Sequence, residues 1–170
     1  MPIDVLQFIT KRRSIRMFTG EAVDRKILLT ALKAAMAAPS ASNSQPWRFL
    51  VVTELEKVKA VCRAHPHATF GDQAGAVILP FGEKQGYRWF DQDMAACTEN
   101  LLLALANLGL GATWCGMTDE LQAGVRSVVS LPDRLFFFAL IPIGLPAQEK
   151  ESRTQYDESR VCWERYTPAL

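Results

Sequence analysis

The stretch DQDMAACTENLLLALANL, residues 91–108, constrains the fold of this chain more than any other segment. Its apolar residues have the spacing of one long α-helix, which Gly109 is expected to end. The second half of this helix has almost no polar face, because leucine occupies positions 101, 102, 103, 105 and 108. Such a helix must be buried on all sides. In a chain of 170 residues, one way to bury it is to pack it against a second subunit.

The rest of the chain predicts one α+β domain over residues 1–170, without repeats or linkers. A short helix is predicted at 4–12, and a second one begins after an N-cap at Asp24 and stops at Pro39. A third begins at a Thr53–Glu56 capping box and runs to about Arg63, and a fourth, short helix begins after Thr118. Strands are predicted at 48–53, 74–82 and 134–144, with a strand or extended turn at 112–117. Residues 146–170 are charged and interrupted, which is typical of an arm lying on a surface.

Charge and cysteine content exclude several classes of protein. The 19 Lys and Arg nearly balance the 18 Asp and Glu, which argues against a broad nucleic-acid or membrane-binding surface. The four cysteines show neither C-x-x-C pairs nor zinc-ligand spacing, and we expect reduced, mostly buried thiols. The N-terminal charges follow a short apolar stretch, the reverse of a secretory signal, and LFFFALIPIGL is too short to span a bilayer. These features predict a cytoplasmic protein with neither membrane nor nucleic-acid partners.

The segment KRRSIRMF, residues 11–18, gathers four cations around Ser14 in a chain of formal net charge +1. Arginine makes planar, bidentate contacts to phosphate, and a serine hydroxyl with nearby backbone N–H groups can bind the remaining oxygens. The segment therefore suits a phosphate monoester. A solvated helix end, where cations complement the dipole, explains the same residues about equally well. A nucleic-acid site is less favoured, because no basic or aromatic patch recurs elsewhere.

Two further stretches have unusual composition. APSASNSQPW, residues 38–47, is rich in small and polar residues and lies between a predicted helix and a predicted strand. It is either an ordinary connecting loop or a loop that presents backbone and amide groups to a planar ligand. NLGLGATWCG, residues 107–116, contains two glycines but follows a helix and opens a strand. A Rossmann dinucleotide site has the opposite order, so it is disfavoured.

Other polar and aromatic residues carry weaker signals. His65 and His67 lie two positions apart in a predicted loop and are expected at the surface, with no metal site predicted. Trp89 and Phe90 could cover a ligand, but packing at the start of the long helix is the favoured interpretation.

Taken in order, RRSIRMF, PSASNSQPW and ENLLLALANLGLGATWCG resemble the nitroreductase family of FMN-dependent oxidoreductases, and YDESRVCWERY is similar to the tail of its short members. The resemblance spans most of the chain but is weak at 54–90. It implies an α+β fold with a central, mainly antiparallel sheet flanked by helices. It also implies an intertwined homodimer with FMN at the interface, in which residues 146–170 embrace the partner.

The resemblance also assigns site residues. Those implied to hold the FMN phosphate and one polar edge of the ring are Arg12, Arg13, Ser14 and Arg16. Those implied to approach the flavin of the partner subunit are Pro39, Ser40, Ala41 and Ser42, with Asn43 and Gln45 in the same motif. Those implied to line the ring near its reactive nitrogen are Thr113, Trp114, Cys115 and Gly116. Arg153 is implied to return to the phosphate.

The activity implied by the resemblance is ping-pong hydride transfer from NADH or NADPH, through flavin N5, to a nitroaromatic, quinone or related small acceptor. No side chain needs to act as acid or base, since the cofactor carries the chemistry. Two departures stand out: Cys115 replaces an acidic residue of better-known members, and the polar flavin-binding pair that longer members have in the middle region is not recognisable in this sequence. The alternative is a module that binds, stores or senses FMN without turnover.

Overall fold

The computed structural model describes residues 4–166. Within them the α-helices are α1 (Val5–Lys11), α2 (Arg25–Ala35), α3 (Leu55–Arg63), α4 (Phe90–Asn107) and α5 (Asp119–Val129). The strands are β1 (Arg48–Val52), β2 (Ala76–Gly82), β3 (Gly111–Ala112), β4 (Cys115–Gly116), β5 (Phe136–Phe137) and β6 (Ala139–Gly144). Short 3₁₀ helices occupy Ala41–Asn43, Thr69–Gln73 and Glu158–Arg160.

The strands, which differ in length, form one antiparallel sheet at the centre of the molecule. Its order is β1-β2-β6-β3, with β5 pairing with β2 and β4 pairing with β6. All the strand pairings are antiparallel. The predicted α+β architecture with a central antiparallel sheet is therefore confirmed.

Both faces of the sheet are covered, and the alternation along β2 shows how. Ile78 packs with α2 and α4 on one face, whereas Val77 and Leu79 pack with α3 and α5 on the other. Because successive side chains of a strand point to opposite faces, an almost continuous apolar run such as AVIL fits a strand between two helical layers. The two hydrophobic cores lie on either side of this strand.

The long apolar helix has the predicted extent, but most of its leucines are buried by its own chain. Leu101, Leu102 and Leu105 are 0%, 5% and 0% exposed, because α2 and the sheet cover them. Leu103 and Leu108 are only half-buried, and they line an apolar groove of about 440 Å³. The other residues lining this groove are Phe8, Thr30, Ala34, Ala37, Asn100, Ala104 and Asn107. The sequence therefore overstated how much of α4 needs a second subunit, and the groove is the part that remains uncovered.

Two local predictions were wrong in detail. The predicted capping box does not form, because Glu54 is the N-cap of α3 and Glu56 instead pairs with Lys59 at 2.8 Å. The predicted strand at 134–144 is interrupted at Phe138, whose N–H donates to the Pro80 carbonyl at 2.8 Å. The interruption separates β5 from β6 while both continue to pair with β2.

The end of the chain differs from the body in its exposure. Every described residue from position 149 onward is exposed, including Tyr156, Trp163 and Tyr166. This is the character expected of an arm, although its last four positions, 167–170, lie outside the described residues. Within residues 4–166, none of the helices has the length and apolar character needed to span a bilayer. The cytoplasmic location stays a prediction.

Candidate functional site

The basic segment crosses the edge of the sheet directly after α1. Ser14 forms a parallel bridge with Ala112, and the Ile15 N–H donates to the Ala112 carbonyl at 3.0 Å. The buried Thr113 hydroxyl donates to the Ile15 carbonyl at 2.6 Å. The structure thus places two of the predicted motifs, 12–16 and 113–116, side by side.

Gly111 allows this close crossing. A Cβ atom at this position would lie 2.6 Å from Cγ2 of Ile15, a separation that real contacts essentially never show. The glycines after α4 therefore serve backbone packing and helix termination, in agreement with the rejection of a Rossmann phosphate loop.

The C-terminal segment brings further cations to the same place. Lys150 Nζ donates to the Ser14 carbonyl at 2.7 Å, and the Arg13 guanidinium donates to the Glu151 carbonyl. The Arg153 N–H donates to the Thr10 carbonyl at 3.3 Å, which ties this residue to the end of α1. Three parts of the chain, α1 with its basic extension, the β3–β4 region and residues 150–153, therefore converge.

The donors in this cluster suit a phosphate monoester. Arg13 and Lys150 donate to neutral carbonyl oxygens, and within residues 4–166 neither of them has a carboxylate at ion-pair distance. Their charge is therefore available to a dianionic group, which charge-assisted hydrogen bonds hold strongly. Arg12 differs, since its Nε lies 3.3 Å from Glu99 Oε1 on α4. The chemistry of this cluster fits the phosphate of FMN.

Side chains of the ring motif are apolar or neutral. Trp114 packs on Phe138 with ring centroids 5.3 Å apart. Burial raises the pKa of the Cys115 thiol to about 11, while the positive charge of Arg16 acts in the opposite direction. Cys115 therefore remains a thiol at neutral pH and supplies no ionised acid or base at this position.

The polar loop 39–45 is held in an unusual conformation by Asp93. This 6% exposed side chain accepts the Ala41 N–H, with both carboxyl oxygens 3.2 Å from the nitrogen, and the Tyr87 hydroxyl at 2.5 Å. The Ser44 hydroxyl also donates to it, at 3.3 Å. Positive φ angles of 52°, 54° and 48° occur at Ser42, Asn43 and Gln45. Such angles persist only where the surroundings fix them, and Asp93 supplies that constraint.

This loop lies apart from the basic segment in a single chain. Asp93 holds the loop and Glu99 pairs with Arg12, and both acids belong to α4. Six residues of helix separate them by about 9 Å along the axis and about 120° around it. The cavity beside the loop is lined by Ser44, Gln45, Pro46, Arg48, Glu83 and Tyr87, and so includes none of residues 12–16. Within residues 4–166, no hydrogen bond or ion pair joins Pro39–Gln45 to the other predicted site residues.

The two histidines have different environments, and the expectation that both lie at the surface was wrong for His65. His67 is exposed, but His65 is 0% exposed and its Nε2 lies 2.9 Å from the Gly116 carbonyl oxygen.

The two aromatic residues at the start of α4 also differ in burial. Phe90 is 1% exposed and belongs to the core, as predicted, whereas Trp89 is 44% exposed. Among residues 4–166, no three His, Cys, Asp or Glu side chains form a group that could hold a metal ion.

Sequence reasoning missed three residues at the site: Lys150, Asp93 and His65. Lys150 could have been suspected from its position three residues before Arg153 in KESR. Asp93 gave no signal beyond that of an acid in the first turn of a helix, which the helix dipole explains by itself.

Comparison with known proteins adds independent information. Residues 9–70 and 59–145 match the model of the Nitroreductase family. A protein of Archaeoglobus fulgidus with the provisional name NADH dehydrogenase/NAD(P)H nitroreductase is 33% identical, over 96% of this chain and 99% of that protein. A protein of Thermotoga neapolitana named iodotyrosine deiodinase is 28% identical, over 82% of this chain and 87% of that protein.

A solved structure extends the similarity to three dimensions. The crystal structure of a provisionally named nitroreductase from Desulfovibrio desulfuricans, in complex with FMN, matches with a TM-score of 0.84 and 32% sequence identity. The match covers 98% of this chain and 100% of that one.

Proposed function

The chain belongs to the nitroreductase family, and from that membership we propose that it is an FMN-dependent oxidoreductase. In this proposal NADH or NADPH reduces the flavin, and a nitroaromatic, quinone or related small acceptor reoxidises it. The observation that carries the proposal is the convergence of the basic segment and residues 150–153 beside β3 and Thr113, at the start of the 113–116 motif.

The basic segment would bind the cofactor at its phosphate. Arg13 and Lys150 would exchange their carbonyl partners for phosphate oxygens, and the Ser14 hydroxyl would bind a further oxygen. The Thr113–Ile15 hydrogen bond, buried and 2.6 Å long, fixes the phosphate-binding segment against the ring-binding strand. This preorganisation reduces the entropy cost of binding a ligand that contacts both.

Arg16 would act on the electronics of the ring. Its guanidinium carbon lies 5.8 Å from the centre of the Phe70 ring, and its charge acts on Cys115 in the ring motif. When bound, FMN supplies the hydride acceptor and donor at N5, while a cation beside the N1–O2 edge favours the negative charge that develops there. The neutral residues of the ring motif orient the cofactor and exclude water.

Purified protein tests the proposal directly. We expect yellow protein, or colourless protein that becomes yellow on incubation with FMN, and rapid loss of flavin absorbance when NADH or NADPH is added anaerobically. A panel of nitroaromatic, quinone and iodotyrosine acceptors would then restore the absorbance at rates that identify the acceptor class. Flavin that binds but is not reduced by either nicotinamide would favour the alternative, a module that stores or senses FMN. Failure to bind FMN would contradict both.

We propose further that the active unit is a homodimer in which loop 39–45 serves the flavin of the partner subunit. The support is the separation of this loop from the basic segment around α4, the uncovered groove beside Leu103 and Leu108, and the exposed aromatics of the arm. A symmetric contact over the groove would bury it in both chains, as the commonest kind of dimer does.

Mixing two defective variants tests this arrangement. Arg16→Ala damages a chain's own ring contacts, and Asp93→Asn damages the loop. If the loop serves the partner, a mixed dimer has one site with both defects and one intact site, so mixing restores FMN binding and turnover. If the loop serves its own chain, every site in the mixture keeps one defect and nothing is restored. The control is Arg16→Ala protein that goes through the same mixing procedure without the second variant.

A further inference from the structure

His65 is a buried side chain with two assigned hydrogen bonds. Its Nδ1 accepts the His67 N–H at 3.2 Å, and its Nε2 lies 2.9 Å from the Gly116 carbonyl oxygen. A backbone N–H can only donate and a carbonyl oxygen can only accept. Nδ1 is therefore unprotonated, and Nε2 carries the proton that it donates to Gly116.

The same short segment holds β4 through a second contact. The Cys115 thiol donates to the His67 carbonyl at 3.4 Å, so both residues of β4 are bonded to residues 65–67. Within residues 4–166, β4 otherwise pairs only with Leu140 and Ala139 of β6. A two-residue strand with one paired neighbour depends on such outside contacts.

Gly116 needs this support more than its neighbours do. It is exposed, and a Cβ atom added to it would meet nothing within 4 Å, so no packing restricts it on its open side. Glycine also loses more backbone freedom than any other residue when it is fixed. A hydrogen bond from a fully buried imidazole to its carbonyl oxygen limits this freedom, in addition to the strand pairing of Gly116 with Ala139.

We infer that His65, held in the Nε2-protonated tautomer, is a positioning residue that fixes the Cys115–Gly116 strand for the flavin ring. The role towards the ring rests on the proposed function, whereas the tautomer and the ordering of Gly116 do not. In this role His65 acts through the Gly116 backbone and not by direct contact with the flavin.

Three single variants separate this role from core packing. In His65→Gln the side-chain amide can still donate from near the position of Nε2. In His65→Asn the shorter side chain keeps an acceptor near Nδ1 for the His67 N–H but does not reach Gly116. His67→Gln is the control, because the His67 side chain is exposed and only its backbone makes the contacts described.

FMN titration and thermal unfolding are measured on all three. We expect His65→Asn to weaken FMN binding by about three- to tenfold, the loss of one hydrogen bond, and His65→Gln and His67→Gln to change it less than twofold. Equal FMN affinity in His65→Asn and the unaltered protein would overturn the inference. A second result would also overturn the inference: His65→Asn and His65→Gln lose FMN affinity equally, and the loss parallels their loss of thermal stability. Core packing alone would then explain the effect.

NMR of the unaltered protein without FMN gives a second, independent test. Nitrogen-15 shifts should report a protonated Nε2 and an unprotonated Nδ1 for His65, and the opposite tautomer would overturn the inference even if His65→Asn does not fold. In His65→Asn the order parameter of the Gly116 amide should fall, and an unchanged value would also overturn it. If the protein bound no FMN, the proposed function would fail while these measurements would still decide the role of His65 in ordering Gly116.

Discussion

Replacing Asp93 by Asn should destabilise the polar loop and the protein with it. The carboxyl group of Asp93 accepts from three donors, the Ala41 N–H and the hydroxyls of Tyr87 and Ser44. The amide keeps the shape but turns one acceptor oxygen into a donor. Both hydroxyls donate to the same oxygen, Oδ2, so the N–H₂ group of asparagine faces either these two hydroxyls or the Ala41 N–H. The Asp93 side chain is only 6% exposed, so water does not replace the lost contact.

The expected size of the effect follows from these contacts. Losing a hydrogen bond to a charged group costs about 1.5–3 kcal/mol, and in a chain of 170 residues this lowers Tm by roughly 3–12 °C. The left-handed angles at Ser42 and Gln45 cost about 1–2 kcal/mol each, so a loop with a weakened anchor relaxes readily. If loop 39–45 serves a flavin, FMN affinity should fall as well.

Differential scanning calorimetry with Asp91→Asn as the control measures this effect. Asp91 lies in the same first turn of α4 and interacts with the same helix dipole, but it is exposed and, within residues 4–166, pairs only with Lys84, at 3.5 Å. Its loss should cost at most about 1 kcal/mol. The hydrogen bond to Asp93 raises the pKa of Tyr87, so Asp93→Asn should also bring the tyrosine titration back towards its ordinary range. Equal Tm values for the two variants would refute the reasoning.

Arg12→Ala should weaken FMN binding by about 10- to 150-fold, the loss of one charge-assisted contact, with only partial rescue by lysine. Glu99→Gln removes the 3.3 Å ion pair but keeps the cation, so its FMN affinity should be unchanged or higher; a fall equal to that of Arg12→Ala would reject the assignment. Leu103→Glu should give monomers in sedimentation while the chain stays folded, and a stable Leu103→Glu dimer would exclude the groove as the interface. Burial raises the pKa of Cys97 to about 12, so the folded state keeps a proton that the unfolded thiol releases above about pH 8.5. The free energy of unfolding should therefore fall as pH rises from there towards 12, and in urea titrations Cys97→Ala should show a smaller fall.

The elements that the sequence predicted well are those defined by local pattern. Asp24 caps α2 through the Lys26 N–H at 2.7 Å, and the helix that follows has the predicted apolar face. The run 74–82 contains β2 because its residues are apolar in succession and lie between two helical layers. Periodicity could not locate the break at Phe138, because that break depends on pairing with Pro80, a residue far away in sequence.

The site was predicted in part for the same reason. The basic segment and the ring motif were recognised as short runs of characteristic residues, and the structure places them together. The bonds from Asp93 to Ala41 and from His65 to Gly116 join residues 52 and 51 positions apart, and the bond from Lys150 to Ser14 joins residues 136 apart. Each of these side chains has an ordinary local interpretation, and only the folded chain shows what it contacts.

Helix α4 links the two halves of the proposed site. Near its start Asp93 fixes the loop, and about 9 Å further along and 120° around the helix Glu99 meets the basic segment through Arg12. A helix with buried residues along its length holds these two groups at a constant separation. In the proposed dimer a flavin would receive these two groups from two chains. The burial of Leu101, Leu102 and Leu105 makes the spacing rigid, and the half-buried Leu103 and Leu108 leave a surface where the second chain can pack.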